Sequence, residues 1–535
     1  MMVTSQLQAH LAARRWSQEV QRDVAGLVFC RREPYERALL AIRNGRMLFS
    51  EPHLMALQRM IVLHAGKRPT SWRFESDAQT MLYERALVSM FAFTQSGVNL
   101  VAPGEDRSWL AYLTRNGAYN SRDTLSELIA QVYAFFVELP SAMRNHAQHV
   151  PIDQWFAEDY NGLGPVEQFA AGLFILATSG SLDASAGVRR SAVLDEGAVS
   201  QIAGRLSCDA QCLDEILVGD REWYRDEFAA DDDEDSAAWN RVPFEKRPLM
   251  RLPSGAVVMT SPQALQRWMT EGLFHRAIDS ARRRRREARF RQFYAAMVER
   301  YVLDLMREAH PGPRRLGVGT VHGEHQSKAG IHSPDVAIDF GPDLVLMEVV
   351  SKRLTLNTTV RGDPEAVAKD LERMIAQKMR QLSARISNLR AGQSSIPGID
   401  MACVDRVWPV IVVPGGILQN PHLWAFLTAQ APDCFRQPGT QHPAIVDLAD
   451  VETLASLIEA GHCLPDVLRM KLEGYARRDL ASFVVEDHRV GSQPRSKGLQ
   501  RRFDSLWDRV FTALGFDSER GRHDRQAHAS HRHAA

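Results

Sequence analysis

The sequence predicts an α/β protein: a mixed sheet in the C-terminal half, preceded by a mostly α-helical N-terminal domain. Three observations carry this. Residues 1 to about 225 read as helices separated by turn residues. Between about 287 and 460, apolar strand patterns alternate with amphipathic helical ones, the signature of a layered α/β domain. Two neighbouring strand patterns, Asp335–Phe340 and Leu344–Lys352, carry charged residues inside apolar alternation.

The helical half contains the segments Glu36–Arg43, Pro52–Ala65, Asp77–Thr94, Arg122–Glu138 and Pro165–Thr178, broken at Ala102-Pro103-Gly104 and Asn161-Gly162-Leu163-Gly164. It shows no fixed-period repeat and no catalytic motif, so residues 1–225 are expected to form an accessory domain, with a sensor, a module that docks a protein partner and a DNA clamp all left open by the sequence. The run Asp231-Asp232-Asp233-Glu234-Asp235 repels itself and lacks apolar residues, which predicts a solvated linker over 226–241. A domain over 242–475 follows. Arg247–Met250 and Ala256–Met259 read as short strands around Pro253-Ser254-Gly255, and Ser261-Pro262 as a helix start with serine as cap and proline in the first turn. The basic tail, 476–535, holds one amphipathic helix over Leu499–Leu514, with Phe503, Leu506, Trp507, Val510 and Leu514 on its apolar face.

In the second half the expected order is helix (about 287–309), strands (about 315–322, 333–340 and 344–351), helix (363–390), strand (407–413) and helix (422–430). A further unit follows, a strand at 444–448 and a helix at 451–460. Side chains alternate along a strand. Asp335, Ala337 and Asp339 therefore share one face. Leu344, Leu346, Glu348, Val350 and Lys352 share a face on the next strand, joined through the turn Gly341-Pro342-Asp343. A hairpin of this kind brings Asp335 and Glu348 within reach of one hard cation, which takes carboxylate, water and phosphate oxygens. On the preceding helix, spacings of three and four put Glu299 in a stripe with Ala295, Ala296, Val302, Leu303 and Met306. On the following helix, Lys378 and Gln381 lie three apart and can face the same place.

Pro334-Asp335, Glu348 and the flanking helices resemble the PD-(D/E)XK, or restriction-endonuclease-like, nuclease superfamily, over about residues 290–470. The resemblance implies a restriction-endonuclease-like core and a Mg²⁺- or Mn²⁺-dependent nuclease, most simply an endonuclease acting on DNA; the same chemistry serves RNA. It implies metal ligation by Asp335 and Glu348 with Glu299 joining, and a lysine that orients the attacking water. The motif wants that lysine where this chain has Val350, so Lys352, and after it Lys378, are the expected donors, with Gln381 beside them. Such enzymes serve restriction, repair or defence against foreign DNA. Val350 also supports the alternative of an inactive nuclease fold that binds nucleic acid or acts as a scaffold.

Arg282, Arg283, Arg284, Arg285 and Arg286 are the expected phosphate contacts, since guanidinium groups grip phosphates through planar, multi-donor bonds. Formal net charge is zero, so any nucleic-acid surface is local. Six scattered cysteines and no signal-peptide pattern predict a reducing, cytoplasmic compartment; no apolar run reaches a membrane span, and the sequence leaves an oligomer open. Gly317-Val318-Gly319 lacks the final spacing and the following helix of a phosphate loop and reads as a glycine-rich strand. His322, Glu324, His325 and His332 read as a histidine-bearing loop, Cys208 and Cys212 as buried helix thiols, and the terminal histidines as incidental. No Gly-Lys-Ser/Thr occurs, which argues against an ATP-driven motor.

Overall fold

The computed structural model describes residues 125–178, 193–194, 197–229, 240–252, 255–311, 318–326, 332–415, 417, 419–475 and 495–516, with isolated positions between 55 and 114. The expected helices at Glu36–Arg43 and Asp77–Thr94, the acidic run 231–235 and the histidines beyond 516 lie outside the described residues. The chain divides into two compact units, each discontinuous in sequence: Met1–Glu105, Pro151–Glu287 and Leu506–Ala535 form one, Asp106–Val150 and Ala288–Ser505 the other. Residues 242–287, expected to belong with the second half, cluster with the first unit. Among the described residues no helix is long and apolar enough to cross a membrane.

The first unit is mostly helical, with a small sheet of order β1-β4-β3-β2 (β1 Val193–Leu194, β2 Val218–Gly219, β3 Leu249–Arg251, β4 Val257–Met259). Strands β3 and β4 form the antiparallel pair expected around Gly255. The next helix, Pro262–Met269, starts on Ser261, whose hydroxyl accepts from the Gln263 and Ala264 N–H groups. Tyr224, Phe228, Phe244 and Met250 fill one core cluster of this unit. The turn Asn161-Gly162 takes positive φ at both residues, which ends one helix before Pro165–Thr178 begins.

The second unit is built on a five-stranded mixed sheet of order β5-β6-β7-β8-β9. Helix α1 (Glu287–Ala309) leads into the antiparallel meander β5 (Thr320–Gly323), β6 (Val336–Asp339) and β7 (Asp343–Val349). Helices α2 (Pro364–Leu371) and α3 (Gln377–Arg390), separated by one π-helical turn at Glu372–Ala376, then cross to β8 (Arg406–Val413), which runs parallel to β7. Helix α4 (Pro421–Gln430) leads to β9 (Ala444–Asp447), parallel to β8, and α5 (Leu448–Glu459) follows.

Alternation along β7 decides which face meets the crossover helices. Leu344, Leu346 and Val350 join Val367, Leu371, Ile375, Leu382 and Ile386 in one core cluster. Glu348 shares their face by the same alternation. Both faces of β7 are buried, so what a one-residue slip would lose is the placement of Glu348, which it would carry away from Lys378 and Arg385 onto the opposite apolar face. Asp339 accepts from the Gly341 N–H at 2.7 Å, and Asp343 pairs with Arg406 at 2.7 Å. These acids are spent on the β6–β7 turn and the β7–β8 edge. The glycine-rich stretch has a packing cause: a Cβ on Gly319 would lie 2.5 Å from Ile338.

Candidate active site

Asp335 stands one residue before β6. Continuing the register in which Val336 faces Met347 sets Asp335 opposite Glu348. A local clasp holds the approach: the His325 N–H donates to Ser333 Oγ and the Ser333 N–H to the His325 carbonyl, both at 2.8 Å. Asp335 Oδ2 accepts from the Val349 N–H at 2.7 Å, which fixes the carboxylate against β7. Glu348 is fully buried.

Two cations meet these acids from α3. Lys378 Nζ donates to Glu348 Oε2 at 3.1 Å. Arg385 Nη1 donates to Glu348 Oε1 and lies 3.7 Å from Asp335 Oδ1. Its Nη2 lies 3.9 Å from Glu324 Oε1, and that same oxygen is 2.9 Å from His332 Nδ1. Lys378 and Arg385 are two helical turns apart, so one face of α3 supplies both.

Electrostatics tie Glu299 to the group. Burial, with the charges of Asp335, Glu324 and Glu348 added, pushes its carboxyl up to about 7 against the pull of Lys378. Burial and then the Asp335 charge push Glu348 up to about 7, opposed by Lys378 and Arg385. Asp335 is likewise raised by burial, with Lys378, the Val349 N–H and Arg385 acting against it. Four carboxylates thus share a small volume with two fixed cations.

Several expectations change. Lys352, expected on the Glu348 face of the strand, lies beyond the end of β7. Strand β7 ends at Val349, and the Val350 N–H closes onto the Val412 carbonyl. The chain then turns into a loop pinned by Asp370, which accepts from the Thr355 N–H and the Thr355 and Thr358 hydroxyls. Lys352 is exposed on that loop, where strand alternation no longer applies. Gln381 is exposed on α3, between the turns of Lys378 and Arg385. The buried stripe of α1 runs through Phe290, Phe293, Met297, Tyr301, Val302 and Leu305, so Glu299 lies at its margin and not at its centre.

The five arginines belong to the first unit, and three are engaged there. Arg282 bonds Glu287 at 2.8 Å, Arg283 bonds Asp159 at 2.7 Å, and Arg284 bonds both Asp159 and Glu158. Arg285 has φ of 55° just after the helix end, and Arg285 and Arg286 are exposed. Of the two cysteines expected as buried helix thiols, Cys212 is buried on the helix Ala210–Leu217, whereas Cys208 is half-buried in the bend before it; burial pushes both thiols up.

Arg385 escaped sequence reasoning, as did the place of Glu324 beside it. The available signal was the seven-residue spacing from Lys378, which repeats a helix face. Among the described residues no three His, Cys, Asp or Glu side chains close on one point at metal-ligand spacing. Asp335 and Glu348 nevertheless offer an all-oxygen pair with excess negative charge around it. That donor set fits a Mg²⁺- or Mn²⁺-type ion, which uses one or two carboxylates and completes its shell from water and phosphate. Comparison of the chain with protein families, curated proteins and solved structures finds no match in any of the three.

Proposed function

We propose that this protein is a metal-dependent nuclease that hydrolyses phosphodiester bonds, with DNA as the first substrate to test. One observation carries the reading: Asp335 and Glu348 face each other on neighbouring strands while Lys378 donates to Glu348 from the crossover helix. The order α1, β5–β6–β7 meander, α2–α3 crossover, parallel β8 supports a restriction-endonuclease-like core. Asp335 and Glu348 would hold the ion, with Glu299 beside them. Bound Mg²⁺ would lower the pKa of water and offset charge on the scissile phosphate.

The chain's own residues supply the rest. Lys378 keeps donors beyond the one bonded to Glu348, and its ammonium can orient a water or meet a phosphate oxygen. Glu299, with its carboxyl near 7, suits proton exchange at neutral pH. The leucine and isoleucine cluster beneath α3 keeps these groups on rigid elements.

A second reading draws on Arg385. A guanidinium between Asp335 and Glu348 can neutralise them permanently, and Val350 is buried in the core where the motif lysine would stand. The protein would then bind nucleic acid, or scaffold a complex, without cutting.

Supercoiled plasmid incubated with Mg²⁺ or Mn²⁺ separates the two. Nicking by the wild type that Asp335→Ala and Glu348→Ala both lose supports the nuclease. Equal binding by all three proteins with no cleavage supports the second reading and defeats the first.

A further inference from the structure

Every oxygen of the acid pair already faces a donor or a cation. Glu348 Oε2 accepts from Lys378 and Oε1 from Arg385. Asp335 Oδ2 accepts from the Val349 N–H, and Oδ1 faces the Arg385 guanidinium at 3.7 Å. An ion entering between these carboxylates needs lone pairs that a charged donor now holds. One of the two cations therefore has to yield.

The surroundings single out Arg385. Among the described ion pairs it alone lies within 4 Å of both acids, while Lys378 bonds Glu348 and acts on Asp335 through its charge. It also has somewhere to go, because its Nη2 is already 3.9 Å from Glu324 Oε1. Glu324 is 44% exposed in its side chain, so a guanidinium that moves toward it regains water and keeps a counter-ion. The root of Arg385 is fixed, since Leu382 and Ile386 beside it on α3 are fully buried; only the flexible side chain has to swing.

We infer that Arg385 is a built-in competitor for the divalent cation: it neutralises Asp335 and Glu348 in the metal-free protein and retreats to Glu324 when the ion loads. This role presupposes the metal-dependent nuclease proposed above. The device sets how much free cation is needed before the site forms. It also protects the buried acids from mutual repulsion when no ion is present.

The test is Mn²⁺ binding to the full-length protein without nucleic acid, followed by electron paramagnetic resonance and by calorimetry. Arg385→Gln should bind Mn²⁺ on the order of tenfold more tightly than the wild type, because the competing charge is gone. Arg385→Lys, a point charge that cannot bridge both acids, should fall between them. Glu324→Gln should bind more weakly, having lost the retreat. In chelator Arg385→Gln should melt below the wild type, and saturating Mn²⁺ should close that gap; a merely structural arginine would leave it open. Mn²⁺ affinity that depends on Asp335 and Glu348 but is unchanged or lowered in Arg385→Gln overturns the competitor alone. Should that variant not fold, equal affinities of Arg385→Lys and the wild type overturn it. Absence of Mn²⁺ binding in the wild type and the arginine variants alike overturns both the competitor and the nuclease.

Discussion

Lys378 Nζ lies 3.1 Å from Glu348 Oε2, reaching the strand acid from the helix packed above it. Val350, the strand neighbour on the same face, is instead part of the apolar core. The cation that a strand lysine would bring thus comes from α3. Lys378→Ala should lower the plasmid-nicking rate on the order of 10²-fold or more, the usual cost of removing one charge-stabilising donor. Lys352→Ala, on its exposed loop, should cut at nearly the wild-type rate. Nicking rates at saturating Mg²⁺ check both, and a severe loss in Lys352→Ala would return the donor role to the loop.

Removing the buried acid should cost stability as well as activity. Glu348→Ala leaves Lys378 and Arg385 facing each other without their shared partner. Breaking a buried ion pair from one side typically costs about 3–5 kcal/mol. Glu348→Gln keeps an acceptor oxygen for one of them and should lose less. Urea unfolding of the metal-free proteins measures the difference, read from the midpoint at constant slope.

The legible parts of this chain were those whose cause is local. Ser261-Pro262 specifies a helix start by cap chemistry alone, and Asn161-Gly162 a break by backbone freedom. Alternation located β6 and β7 and set Asp335 against Glu348; both faces of β7 are buried, and a one-residue shift would turn Glu348 away from Lys378 and Arg385. What escaped depends on contacts distant in sequence. Arg385 looks like any charged residue on a long helix until β7 is laid beneath it. The ion pairs of Arg283 and Arg284 with Glu158 and Asp159, far earlier in the chain, were likewise not legible. Lys352 was placed by a parity rule carried past Val349, where the strand stops.

The raised acids give a pH signature with a definite sign. Glu348 and Glu299 ordinarily ionise near 4.5 and are pushed up to about 7 in the fold, chiefly by burial. Between those values the folded chain holds protons that the unfolded chain has released. Stability from these groups is therefore complete below the lower value and is lost as pH rises through the upper one. In chelator, the melting temperature of the second unit should fall from about pH 5 to about pH 7.5 and then level, apart from other groups. Glu348→Gln should flatten part of that slope. Metal-dependent nicking should move oppositely and rise through pH 7, since only ionised carboxylates ligate. A nicking rate that declines over the same interval would separate these acids from the reaction.

Arg502 predicts how the C-terminal helix is held. This residue, on the helix Lys497–Ala513, is 2% exposed, yet it carries a full charge. Its Nε donates to Glu138 Oε2 at 2.6 Å, and Nη1 and Nη2 donate to the two oxygens of Glu308 at 2.8 and 3.1 Å. The guanidinium also lies 5.6 Å from the Tyr301 ring centre, and the Tyr301 hydroxyl donates to Glu452 at 2.6 Å. Three directed bonds and one ring face need a planar fork, which lysine lacks. Arg502→Ala should therefore destabilise the second unit by about 3–5 kcal/mol, because Glu138 and Glu308 lose the charge they share. Arg502→Lys should recover little of it. Arg501→Ala is the control: that side chain is 58% exposed, and its pairs with the same two acids should be worth less than about 1 kcal/mol. Thermal melts rank the three variants. Limited proteolysis then locates the damage, since Arg502→Ala should release the helix Lys497–Ala513 to cleavage at a protease level that leaves Arg501→Ala intact. Equal protection of the two would mean that Leu499, Leu506 and Val510, the buried apolar residues of the helix, suffice to hold it.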